Sequence, residues 1–153
     1  MKYFLITITS LILLSGCSYQ NAFSKFEMSK KEELLASNTQ SSKIVSKKAT
    51  EGIVTAIYLN NVDPKHREPH EIFLVSVYMK NSDHNYNFKL NGLLAVDILE
   101  LSNIEFYSDF IKNPREWDTY YLVKFKKSKR KINFTLEGNK FTSSALHYLK
   151  DPL

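Results

Sequence analysis

Beyond residue 48 the chain is built from short apolar runs in which Ile, Val, Phe, Tyr and Leu recur at every second position, separated by turn-forming residues. No long stretch keeps the three-and-four spacing of an amphipathic helix, so the pattern predicts a β-domain. The candidate strands are 49–60, 71–80, 86–90, 104–110, 117–126, 131–137 and 140–150. In the last third, a two-residue turn at Gly138-Asn139 predicts a register with Glu137 opposite Lys140, Leu136 opposite Phe141, Phe134 opposite Ser143 and Ile132 opposite Ala145. Continued back through Ser128-Lys129, the same hairpin logic sets Phe125 opposite Ile132, Val123 opposite Phe134 and Tyr121 opposite Leu136. One face is then mostly apolar. The other carries Lys124, Lys126, Asn133, Thr135 and Thr142, the pattern of a half-buried antiparallel sheet. Two apolar residues, Leu146 and Tyr148, fall on the polar face in this register.

An apolar sheet face has to be covered. Phe73, Val75, Val77 and Met79 on one run and Tyr86, Phe88 and Leu90 on another supply the cover, which predicts an all-β antiparallel sandwich of two sheets. Asn91-Gly92 turns the chain into 93–101, where Leu94, Ile98 and Leu101 have helical spacing and predict a short crossover helix. About seven strands over this length is similar to the immunoglobulin-like sandwich, without the Cys and Trp spacing of a true immunoglobulin domain. A small β-barrel is the alternative.

Residues 18–47 differ in character. They are rich in Ser, Lys, Asn, Gln and Glu, contain neither Gly nor Pro, and read as a flexible tether from residue 17 to residue 47, with the domain spanning 48–153. Within this stretch Ser29-Lys30-Lys31-Glu32 has capping-box spacing, so a two-turn helix is predicted to start at Lys30.

The amino terminus carries an address. Lys2 is followed by an uncharged run, 3–14, and then by Leu14-Ser15-Gly16-Cys17. A positive start, an apolar middle and small residues before a cleavage point make residues 1–16 a signal peptide. The apolar run, about twelve residues, falls short of the roughly twenty needed to span a bilayer, so no transmembrane helix is expected. Leu14-Ser15-Gly16-Cys17 resembles the lipobox of bacterial lipoproteins. The resemblance implies diacylglyceryl transfer to the Cys17 sulfur, cleavage before it, and acylation of the new amine. By the same resemblance, Ser18 rather than Asp after the cysteine favours the outer membrane in a two-membrane envelope. Cys17 is the sole cysteine; lipidation accounts for it and leaves the domain without a disulfide.

The formal charge of +5 falls to +4 when Lys2 leaves with the signal, a mild balance suited to anionic lipid or glycan and not to nucleic acid. Candidate chemistry is sparse. Lys124, Lys126, Lys127, Lys129, Arg130 and Lys131 crowd one predicted hairpin tip, where they form either a solvated loop or a patch for an anionic partner. The run Arg115-Glu116-Trp117-Asp118-Thr119-Tyr120-Tyr121 holds residue types common at interface hot spots. Trp117 shares the parity of the core residue Tyr121, which leaves Arg115 and Tyr120 as the exposed contact residues. The loop 63–71 brings His66 and His70 among carboxylates, but its two prolines and interleaved Lys65 and Arg67 read as a polar connection and not a zinc cage. No nucleophile elbow or phosphate loop is present, and no catalytic residue, metal or cofactor is assigned.

These readings converge on a membrane-anchored envelope lipoprotein, a non-enzymatic module that binds a protein or an envelope polymer. A binding module for acidic lipid or glycan, and then a metal protein or enzyme, stand behind it. A Cys17→Ala precursor is expected to lose incorporation of radiolabelled palmitate in growing bacteria; retained label would overturn the lipobox assignment.

Overall fold

The computed structural model describes residues 28–63, 65, 69–81, 85–128 and 131–150. The lipobox, His66, Lys129 and Arg130 lie outside them. The elements are α1 (Lys30–Ser37), β1 (Thr39–Ser46), β2 (Thr50–Tyr58), α2 (Leu59–Val62), β3 (His70–Met79), β4 (Tyr86–Leu90), β5 (Leu93–Leu94), β6 (Asp97–Glu100), a 3-10 turn at Glu105–Tyr107, β7 (Thr119–Lys126), β8 (Lys131–Gly138), β9 (Phe141–Ser143) and β10 (Leu146–Leu149). The domain is all-β in character. Its strands pair antiparallel in one sheet of order β5-β4-β8-β9-β1-β2-β3-β7-β6, with β10 also on β8. The sheet curls into a half-barrel.

The helix predicted at Lys30 is present, and its capping box is complete. The Ser29 side chain accepts from the Glu32 amide, and the Glu32 carboxylate accepts from the Ser29 amide. The tether reading fails after it. Residues 39–46 form β1, which lies inside the sheet between β2 and β9. Its single buried apolar side chain is Ile44, and its other positions are mostly Ser, Thr, Gln and Lys. Backbone pairing on both edges holds such a strand, helped by cross-strand contacts such as Ser41 Oγ to Thr55 Oγ1 at 2.8 Å. A hydrophobic pattern cannot register it.

The predicted hairpin register shifts. Gly138 ends β8, the turn residues are Asn139 and Lys140, and Glu137 faces Thr142 instead of Lys140. The Phe141 ring folds over Gly138 and occupies the space that an added Cβ would need. Between β9 and β10 the pairing slips once more, so that Leu146 faces Phe134 and Tyr148 faces Ile132. This slip turns Leu146 and Tyr148 into the core and removes the misfit of the simpler register.

β7 and β8 do not pair. β7 lies between β3 and β6, while β8 lies beside β4, β9 and β10. Their apolar faces meet across the interior instead of side by side, with the Phe125 and Phe134 rings edge to face at 6.0 Å. The crossover helix at 93–101 is likewise replaced by β5 and β6. Asn91 (φ 51°) and Gly92 (φ 82°) form a tight two-residue turn that pairs Leu90 with Leu93. Backbone bonds then pass from one edge of the sheet to the other: Ala95 N–H donates to Phe88 C=O, and Val96 N–H to Lys124 C=O. Bonding to two edges in turn holds the segment extended. The strand predicted at 104–110 is a 3-10 turn, from which Tyr107, Phe110 and Ile111 pack on the outer face of the sheet.

The concave face is the main core. Phe73 sits at its centre, with ring centroids 5.0 Å from Tyr58, 5.1 Å from Phe134, 5.4 Å from Tyr148 and 5.8 Å from Phe125. Strand alternation also places Glu71 on this face, 1% exposed. It accepts from Tyr58 Oη at 2.6 Å, Ser128 N–H at 2.7 Å and Lys150 Nζ at 2.5 Å. Three segments distant in sequence are thus tied to β3 by one carboxylate.

Burial opposes ionisation of Glu71, but the bonds from Lys150, Ser128 and Tyr58 outweigh it and hold the carboxyl below its ordinary range. A depressed folded pKa means that this stabilisation is present above the unfolded value near 4.3 and is lost as pH falls through the folded one. Glu71→Gln is expected to cost about 3 kcal/mol at neutral pH, lowering Tm by roughly 6–12 °C. The deficit should shrink below about pH 4; a thermal melt series with a pH-independent deficit would contradict this account.

Candidate functional site

The convex face of the sheet is not bare. Period-2 alternation lays two cross-strand rows on it. One is polar, Ser41–Thr55–Ser76–Tyr120; the next is apolar, Ile57–Leu74–Leu122–Leu99. α1 and residues 105–118 rise on either side, leaving a cleft of about 760 Å³. Leu35, Ile57, Leu74 and Phe110 form its apolar walls.

α1 has no fully buried residue, so its position depends on partners along the far wall. Lys31 pairs with Asp109 at 2.7 Å and lies over the Phe110 ring at 5.9 Å, and Lys112 pairs with Glu32. Hydrogen bonding from Lys112 and from Ser29 lowers the Glu32 pKa to about 2. Asp109 is lowered by its bond to Lys31. Both carboxylates are spent on holding the cleft walls together.

The sharper feature lies at the start of β7. Arg115 C=O accepts from the Asp118 amide at 3.2 Å, closing a turn, and the Arg115 amide donates to Tyr120 Oη at 2.8 Å. The turn delivers Asp118 to the cleft beside Ser76. Among the described residues, Asp118 Oδ1 is a buried side-chain polar atom with no hydrogen-bond partner. Burial raises the Asp118 pKa, against the opposing pulls of the Arg115 charge and of the neighbouring Ser76 hydroxyl. Such an acceptor costs free energy until a donor reaches it.

Arg115 and Tyr120, singled out from the sequence, thus line one cleft. Their roles differ from expectation. Arg115 is exposed, but Tyr120 is 4% exposed and Trp117 is 66% exposed, the reverse of the parity argument. The strand begins only at Thr119, so alternation does not extend back through the turn to Trp117. Asp118 and Ser76 were missed. Asp118 does share the parity of Tyr120, but only the turn and the covering loop bury it.

The basic residues fall elsewhere. Lys124 is paired with Asp97 at 3.3 Å, whereas Lys126, Lys127 and Lys131 are exposed around the connection from β7 to β8. His70 begins β3, and among the described residues no three metal-ligating side chains come together. Among the described residues, no histidine lines the cleft. No protein-family model matches the chain, and neither a curated protein nor a solved structure does.

A raised folded pKa makes Asp118 destabilising when ionised, and the penalty fades as pH falls through that value. Asp118→Asn is therefore expected to stabilise the protein by about 1 kcal/mol at pH 7, or roughly 2–4 °C in Tm, with the gap closing towards pH 4. A destabilised variant at pH 7 would show that the carboxylate is satisfied after all.

Proposed function

We propose that this chain is an exported envelope lipoprotein, anchored through Cys17, whose β-domain is a non-enzymatic interaction module that receives a segment of a partner protein in the convex cleft. The observation that carries the reading is the unpartnered Asp118 Oδ1 at the foot of a cleft with one polar and one apolar row. An extended segment offering a Lys, Arg or amide donor to Asp118 and apolar side chains to Ile57, Leu74 and Phe110 would satisfy both rows. Arg115, which lines the cleft, and exposed Trp117, the chain neighbour of Asp118, belong to the residue types that dominate binding energy at interfaces. The bridging of both sheet edges by residues 93–100 supports a small barrel over a two-sheet sandwich.

The anchor would constrain where the partner lies. With β1 in the sheet, ten residues separate Cys17 from Met28, so the start of the domain would stand at most roughly 35–40 Å from the acylated residue, at about 3.3–3.6 Å each. If the envelope has two membranes, Ser18 favours the outer one.

A photo-reactive residue at position 117 tests the cleft in cells. The expected result is one reproducible adduct with another protein, weakened at least tenfold by Asp118→Asn although that variant is more stable; the same probe at Ile53 should yield none. Equal adduct with and without Asp118→Asn, or no adduct, would sink the reading.

A further inference from the structure

At the His70 end of β3, away from the convex cleft, the sheet presents a second surface. The Asn91-Gly92 turn is clamped to the connection after β7 and to β8. Asn91 Nδ2 donates to Ser128 Oγ at 2.7 Å, while Asn91 and Asn133 exchange bonds of 2.8 and 2.9 Å. This fixes the β4–β5 turn beside the basic connection. Leu93 and Leu94 on it are 67% and 59% exposed, and Val96 is nearly half exposed. Leu90, Phe125 and these three residues enclose a cavity of about 320 Å³ whose rim carries Lys126 and Lys127.

The nearby carboxylates are committed to other cations. Asp97 pairs with Lys124 and buried Glu71 with Lys150. Among the described residues, none pairs with Lys126, Lys127 or Lys131. An apolar knuckle bordered by three cations that no described carboxylate pairs with has the chemistry to meet an anionic lipid surface, with apolar side chains entering the acyl boundary and ammonium groups meeting headgroup phosphates. An acidic glycan would engage the lysines but leave Leu93, Leu94 and Val96 in water, so the exposed leucines favour lipid.

We infer that this end of the domain docks on an anionic bilayer through Leu93, Leu94, Val96, Lys126, Lys127 and Lys131, orienting the anchored protein on its membrane. The inference rests on the anchoring reading for its setting, and the test separates the two. Cys17 is the sole native cysteine, so in the mature acylated protein Leu94→Cys can be labelled alone with a polarity-sensitive fluorophore. The labelled protein is reconstituted in vesicles of phosphatidylcholine alone or with phosphatidylglycerol, and co-flotation reports anchoring independently of the fluorophore. The expected result is co-flotation with both vesicle types, but a blue shift only with phosphatidylglycerol. High salt should reverse the shift, and label at Ile53→Cys should stay unshifted. Exchanging Lys126, Lys127 and Lys131 for Gln should lower the docked-to-free ratio by roughly 100-fold, at about fivefold per cation. Flotation without a charge-dependent shift, or a shift abolished by soluble acidic polysaccharide at constant ionic strength, would overturn lipid docking while leaving the anchor intact. Failure to float would count against the anchor instead.

Discussion

The fold depends on one contact set, the aromatic packing around Phe73 on the concave face. β3 and β8 share no backbone hydrogen bonds, and the sheet path between them runs through β2, β1 and β9. What brings the two limbs together is Phe73 against Phe134, with Phe125 and Tyr148 closing the sides. Aromatic pairs of this geometry add about 0.5–1.5 kcal/mol each beyond simple burial. The curl of the sheet follows from that packing, and the curl creates both the convex cleft and the exposed end beside Ser128.

Two carboxylates, one buried and one half-buried, show how the same physics yields opposite outcomes. Glu71 is the more deeply buried, yet an ammonium, an amide and a hydroxyl saturate it, and its charge stabilises the molecule. Asp118 is less buried but lacks a donor at Oδ1, and its charge destabilises. Burial does not decide between them; the supply of donors does. The first carboxylate is satisfied within the fold, and the second keeps an oxygen that no described residue partners.

The convex face is covered by segments that hold themselves with charges more than with apolar area. α1 meets the far wall through Lys31 with Asp109 and Lys112 with Glu32, exposed pairs of modest strength. These walls are separate from the concave core, where β2, β3 and β7 are anchored by Val54, Phe73 and Val123.

The sequence by itself determined the antiparallel β class, most strand positions, the capped start of α1, the tight turn at Asn91-Gly92 and the inward set Phe73, Phe88, Phe125 and Phe134. These are local patterns of period, cap and turn, readable wherever the chain is going. The tertiary structure decided what depends on distant partners. β1 was hidden because its backbone, not its side chains, earns its place in the sheet. The register of β9 and β10 depended on Phe141 covering Gly138 and on a slip that two-residue hairpin rules do not contain. The leucine spacing at 93–101 imitated a helix until two sheet edges claimed the backbone. The site was half legible: Arg115 and Tyr120 stood out by residue type, whereas Asp118 acquired its meaning only when a turn, Ser76 and a covering loop removed water from one oxygen.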